Sequence, residues 1–157
     1  MERKYIICDP ALCTGCAICE LACSAEKEEK FFPELSRIRV ALVDEKKAVS
    51  IACRFCDDTP CISACPRDAL SMDESKNVIR LDKLRCTGCG WCIEACDFGA
   101  IAMARSVKSV VICDLCEERS EPKCVEFCPK DALKVTTFEI AAQELRDKSA
   151  RRLTDKQ

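Results

Sequence analysis

The chain has 157 residues, about one ordinary domain, and its 25 lysines and arginines against 27 aspartates and glutamates leave a formal net charge of −2. Seventeen residues are cysteine, about 11 %, above the roughly 8–10 % at which cysteine becomes the framework of a fold. Without them the hydrophobic share falls from 48 % to about 37 %, with six phenylalanines, one tyrosine and one tryptophan, so an ordinary apolar core is thin. The absence of histidine excludes histidine-ligated haem, His-containing zinc or copper sites, and Ser-His-Asp or Cys-His catalysis. The four glycines, Gly15, Gly88, Gly90 and Gly99, form neither a GxGxxG nor a Walker loop, which removes those routes to NAD, FAD or ATP.

The opening MERKYIICDP reads as a short strand from Tyr5 to Cys8, too brief for a signal-peptide core, and no twin-arginine leader precedes it. No apolar stretch reaches the 18 residues of a membrane span. A cytoplasmic protein is expected, and in that reducing compartment dense cysteine points to metal rather than disulfides. Short helices are expected near Cys19, Pro60, Trp91 and Pro122, each carrying the last cysteine of its group, and Glu26 to Lys30 reads as a solvated helix face. Ile38, Val40 and Leu42 alternate with Arg37, Arg39 and Ala41, and Val49 and Ile51 flank Ser50, so 37–52 reads as a hairpin turning at Asp44 to Lys47. Strands follow near Val107 to Cys113 and Ala132 to Thr136. Beyond Thr136 the chain lacks cysteine and glycine, and Phe138, Ala141, Ala142 and Leu145 share a face, predicting a helix to about Lys148. That helix either packs on its own module or serves as an arm for a partner subunit or a neighbouring copy.

Sixteen cysteines fall into four groups: Cys13, Cys16, Cys19, Cys23; Cys53, Cys56, Cys61, Cys65; Cys86, Cys89, Cys92, Cys96; and Cys113, Cys116, Cys124, Cys128. Only Cys8 is left over, and it reads as a structural thiol at the end of its strand. Groups one and three have the bacterial ferredoxin spacing, three cysteines at intervals of three and a fourth after three more residues; groups two and four lengthen only the middle. A chain offering thiolates so closely must curl around a compact object with its N–H groups turned to the sulfurs, which suits a cuboidal [4Fe–4S] cluster. Zinc ribbons instead use two short pairs on a long connection. Gly15, Gly88 and Gly90 permit the positive φ such a cup requires, while Pro66 and Pro129 end the preceding helices.

On these motifs, residues 53–104 resemble a complete two-cluster bacterial ferredoxin, with a hairpin of Ala69 to Met72 against Val78 to Leu81 and a closing strand at Ala100 to Ala104. Residues 5–30 and 110–136 resemble the two halves of a second, and the whole resembles the four-cluster iron–sulfur subunits of dimethyl-sulfoxide-reductase-type complexes and their small soluble relatives. The resemblance implies an α+β fold of two nested ferredoxin-like dicluster modules with short hairpins and helices. The outer module would be 1–36 with 105–137, the bridging hairpin 37–52, the inner module 53–104 and the C-terminal helical tail 138–157.

In such ferredoxins the fourth cysteine of each group serves the other cluster. Carried over, the resemblance implies four [4Fe–4S] clusters held by Cys13, Cys16, Cys19 and Cys128; by Cys113, Cys116, Cys124 and Cys23; by Cys53, Cys56, Cys61 and Cys96; and by Cys86, Cys89, Cys92 and Cys65. Ser24 and Asp97 replace the proline often found after the last cysteine, so those two helix ends are expected to differ. With four bound clusters of about −2 each, the net charge falls to roughly −10, which disfavours nucleic acid. Arg54, Arg67, Arg85, Lys123 and Lys130 stand near ligands and would raise local potentials; Glu20, Asp57, Asp58, Glu94 and Asp97 would lower them, and Trp91 would shield its cluster from water. The implied function is a non-catalytic electron-transfer subunit serving a large molybdenum or tungsten pterin subunit of the aldehyde or formate oxidoreductase type, with a flavoprotein or further copies as other partners. A free polyferredoxin shuttle, the electron-transfer protein of a carbon monoxide dehydrogenase or hydrogenase, and a zinc-binding scaffold or maturation factor are the alternatives.

Overall fold

The computed structural model describes residues 3–44 and 47–155. Along the chain, strands and cysteine groups alternate. Strand β1 (Lys4–Cys8) leads into the first group and helix α1 (Ile18–Glu28); β2 (Arg39–Asp44) and β3 (Lys47–Ile51) precede the second group with α2 (Pro60–Ser63). Strands β4 (Leu70–Asp73) and β5 (Val78–Leu81) precede the third with α3 (Trp91–Glu94), and β6 (Ala102–Ala104) and β7 (Ser109–Val111) the fourth with α4 (Lys123–Glu126). Strand β8 (Leu133–Thr137) follows and runs into α5 (Phe138–Thr154).

The described strands make four separate two-stranded antiparallel sheets, β1 with β8, β2 with β3, β4 with β5, and β6 with β7. The β1–β8 pair, in register from Lys4 opposite Thr137 to Cys8 opposite Leu133, ties the two ends of the cysteine-bearing region together. Two-stranded sheets are marginal alone. Each here is held instead by the cysteine cups on either side and by a shared core in which Ile6, Ile38, Phe55, Val78, Ile79 and Val110 pack among buried cysteines. The architecture is the expected α+β iron–sulfur fold.

Several expectations need correction in detail. Helix α1 contains Cys23, but α2, α3 and α4 end at Ser63, Glu94 and Glu126, two residues before Cys65, Cys96 and Cys128. These cysteines lie just beyond the last turn because the next residues must reverse direction: Asp68, Gly99 and Asp131, three residues after each, all take positive φ. Ser24 does mark a different helix end, since α1 continues to Glu28 and the buried Ser24 hydroxyl donates back to the Leu21 carbonyl. Asp97 does not, because α3 ends as α2 does despite the missing proline.

The closing strand is confined to Ala102–Ala104, and the strand expected from Val107 is Ser109–Val111, after a short 3-10 turn at Arg105–Val107. These two pair with each other, so the backbone ladder crosses residue 104. In the β2–β3 hairpin the inward face is Ala48 and Ser50, small residues demanded by the first cup, where a Cβ on Gly15 would stand 3.0 Å from that of Ala48. The hairpin turn falls on residues 45 and 46, outside the described residues. Helix α5 runs past Lys148 to Thr154 because Ala150, Arg151, Arg152 and Leu153 are helix formers with no breaker among them. Thr137 caps it by accepting from the Ile140 N–H, yet no residue of α5 is buried.

Candidate iron–sulfur centres

All four cups share one backbone device. The residue two after the first cysteine has positive φ in each: Gly15 (71°), Phe55 (51°), Gly88 (66°) and Leu115 (60°). Glycine takes this conformation freely, whereas Phe55 and Leu115 do so against their Cβ and are held by burial or packing against the core. The turn points N–H groups inward: Phe55 N donates to Cys53 Sγ at 3.4 Å and Leu115 N to Cys113 Sγ at 3.3 Å. The closing cysteines repeat a second device, the N–H four residues on donating to sulfur, from Ala69 to Cys65 (3.3 Å), Ala100 to Cys96 (3.4 Å) and Ala132 to Cys128 (3.3 Å). Cys23, inside a continuing helix, receives its N–H from Arg37 instead, at 3.3 Å.

Tertiary structure gathers cysteines from different cups. One cavity of about 630 Å³ is lined by Cys53, Cys56, Cys61 and Cys96, with Arg54, Asp57, Asp58 and Phe98 at its walls. A tight cleft is lined by Cys13, Cys16, Cys19 and Cys128, and another by Cys86, Cys89, Cys92 and Cys65. The remaining four lie together too, since Cys113 and Cys124 both have Cys23 as an electrostatic neighbour and Cys124 has Cys116. Cys8 stands beside Cys13 and beside both the backbone and the hydroxyl of Ser50, half-buried, with its thiol raised chiefly by desolvation.

All seventeen cysteines are free thiols. Burial pushes Cys53 up to about 12, Cys19 and Cys92 up to about 11, and Cys113 well above the usual thiol range. An apolar pocket that resists a bare thiolate is one whose thiolates need a bound cation. Among the described residues no three Cys, Asp or Glu side chains gather as a single metal ion requires. Thiolates around a four-iron cube stand further apart than around one ion because the cube lies between them, so the donor set, the apolar walls and the inward N–H groups fit iron–sulfur clusters. Cys86 departs from the pattern: desolvation would raise it, but the Ser109 hydroxyl and the Val110 and Gly88 N–H groups outweigh that and lower it.

Of the charged residues near the cups, Lys123 is paired with Glu126 at 2.9 Å and lies over the Phe127 ring, and the Arg54 guanidinium lies over Tyr5 and Phe98 at 5.0 and 5.6 Å. Glu20 accepts from the Val40 N–H at 2.7 Å, fixing α1 to β2. Trp91 is 61 % exposed and Cys89 beside it is open to solvent, so Trp91 does not shield the third cup; at the first position of a four-residue helix it projects outward. Ser50 is the residue that spacing did not disclose. Its buried hydroxyl lies 3.5 Å from Cys19 Sγ and 3.8 Å from Cys13 Sγ. A serine on the inward face of a strand leading to a cup is the only signal the sequence offered.

Such a constellation defines an electron-carrying iron–sulfur protein, and comparison places it further: residues 45–137 match the 4Fe-4S dicluster domain family, to which the chain belongs. It is 42 % identical over 139 residues to the aliphatic sulfonate oxidoreductase polyferredoxin-like subunit of Pyrococcus furiosus, covering 87 % of this chain and 79 % of that one. It is 32 % identical over 158 residues to the electron transport protein HydN of Escherichia coli, covering 83 % and 86 %. Among solved structures, a chain of the active site complex BamBC of benzoyl coenzyme A reductase as isolated superposes with a TM-score of 0.52 at 23 % identity, over 100 % of this chain and 99 % of that one, a likeness of fold. The protein is an iron–sulfur electron-transfer subunit of the oxidoreductase class. Among the described residues no helix is long and apolar enough to cross a membrane.

Proposed function

We propose that this chain holds four [4Fe–4S] clusters and relays electrons for a separate catalytic oxidoreductase subunit. The ligand sets would be Cys13, Cys16, Cys19 and Cys128; Cys113, Cys116, Cys124 and Cys23; Cys53, Cys56, Cys61 and Cys96; and Cys86, Cys89, Cys92 and Cys65, in an outer module (1–36 and 105–137) and an inner one (53–104). The observation that carries this is the mixed lining of the cavities, three cysteines of one cup with the closing cysteine of another. When bound, each cluster accepts and releases one electron.

The residues between the sets favour a line. Cys124 of the second set neighbours Cys19 of the first, Cys113 neighbours Cys53 of the third, and Cys92 of the fourth neighbours Cys61 of the third. Cys16 and Cys89, at opposite ends of that line, are the two cysteines exposed to solvent. The first and fourth sets therefore serve as the terminals facing donor and acceptor, and the buried second and third sets as the interior.

The catalytic partner is a molybdenum or tungsten pterin subunit of the aldehyde or formate type, a reading that rests on the family resemblance. The sulfonate oxidoreductase relative supports a permanent assembly with a catalytic subunit. The anaerobically purified untagged protein should carry about 16 iron and 16 sulfide per chain, bleach with dithionite, and co-purify with a pterin-containing subunit. Zinc without sulfide overturns the relay; a full cluster complement with no co-purifying subunit overturns the permanent partner and leaves a diffusing shuttle.

A further inference from the structure

Resting on the four-cluster reading, we infer that the buried Ser50 hydroxyl is a positioning residue that donates to the thiolates of the first set and raises that cluster's reduction potential. Ser50 lies on β3, which is neither in the first cup nor among the family's cysteine ligands, and it is 8 % exposed. Its Oγ stands 3.5 Å from Cys19 Sγ and 3.8 Å from Cys13 Sγ. A cysteine bound to iron has lost its proton, so between this oxygen and these sulfurs only the hydroxyl can donate. One donor facing two sulfurs of a single set is placed to follow charge on either.

The direction of the effect follows from charge. Reduction adds negative charge shared with the thiolate sulfurs, and a donor aimed at them stabilises the reduced form more than the oxidised one, so hydrogen bonds to sulfur raise the potential. The second and third sets have backbone N–H contacts on sulfur, from Leu115 to Cys113 and Arg37 to Cys23, and from Phe55 to Cys53 and Ala100 to Cys96. Those donors belong to the peptide chain and cannot be altered by side-chain replacement. Ser50 adds an adjustable one at a terminal set.

The test is an anaerobic, EPR-monitored redox titration of the iron-loaded chain, with each cluster's signal assigned through single ligand variants. Ser50→Ala is expected to lower the midpoint of the first-set cluster so that its reduced-to-oxidised ratio at fixed potential falls about tenfold, which is 59 mV for a one-electron couple. Ser50→Thr, which keeps the hydroxyl, should restore most of it. Ser36→Ala is the control, because that buried hydroxyl donates to the Ile38 carbonyl and touches no cysteine, and it should move no midpoint. An unchanged first-set midpoint in Ser50→Ala with full iron content overturns the inference, whereas iron analysis short of four clusters in the unaltered protein overturns the four-cluster reading instead. If Ser50→Ala fails to assemble, the unaltered protein decides: an exchangeable proton coupled to the first-set cluster that is lost in deuterium oxide and shifted in Ser50→Thr supports the inference, and its absence refutes it.

Discussion

Replacing Gly88 by alanine tests the packing of the third cup against the β6–β7 connection. Gly88 has φ +66°, and a Cβ there would lie 2.9 Å from the Lys108 carbonyl oxygen and 3.2 Å from its carbon. The left-handed backbone costs an L-residue about 1–2 kcal/mol. Overlap with a backbone that cannot swing aside, Lys108 being itself at φ 50°, adds about 1–3 kcal/mol. Gly90, two residues on at φ +86°, has nothing within 4 Å of such a Cβ, so Gly90→Ala carries only the conformational cost. At about 2–4 °C per kcal/mol for a chain of this size, Gly88→Ala should melt roughly 2–12 °C below Gly90→Ala. Loss of visible absorbance on heating under argon, at one scan rate for both variants, reports this even though cluster loss is irreversible. If Gly88→Ala melts no lower than Gly90→Ala, the close approach of the third cup to Lys108 is wrong.

Cys65→Ser should alter the EPR signal of the cluster held by Cys86, Cys89 and Cys92 and spare the one held by Cys53, Cys56 and Cys61; the reverse outcome refutes the exchange of closing cysteines. Asp114→Asn should cost about 2 kcal/mol, since Asp114 takes Lys27 at 2.8 Å and Arg37 at 2.5 Å with its own side chain only 15 % exposed, and denaturant midpoints would register it. Stripping iron with a chelator after oxidation should collapse the far- and near-UV dichroism together, because four sheets of two short strands cannot stand without their staples. Truncation after Gln143 should cost under about 2 kcal/mol and leave the iron content unchanged, as the ion pairs it removes among the described residues, Lys134–Glu144 and Lys148–Asp9, are largely exposed; a larger loss would show that α5 carries packing.

Spacing alone was enough to locate the cups and the cofactor class, because ligands three residues apart constrain the backbone locally: C-T-G-C at Cys13 and Cys86 already demands the turn that Gly15 and Gly88 make. Strand positions were legible for the same local reason, as with Val78 to Leu81, whose bounds the structure reproduces. What local pattern could not convey was how elements distant in sequence meet. The pairing of β1 with β8, the placing of Cys96 with Cys53 and of Cys128 with Cys13, and the reach of Ser50 to Cys13 and Cys19 join residues far apart along the chain. The outward stance of Trp91 is likewise a matter of which segment covers its ring, and the residue stays exposed while Cys92 of the same helix is buried. Period and spacing record a residue's neighbours along the chain, whereas burial and hydrogen bonding depend on which other segment fills the space beside it, and that was decided only when the four cups closed on one another.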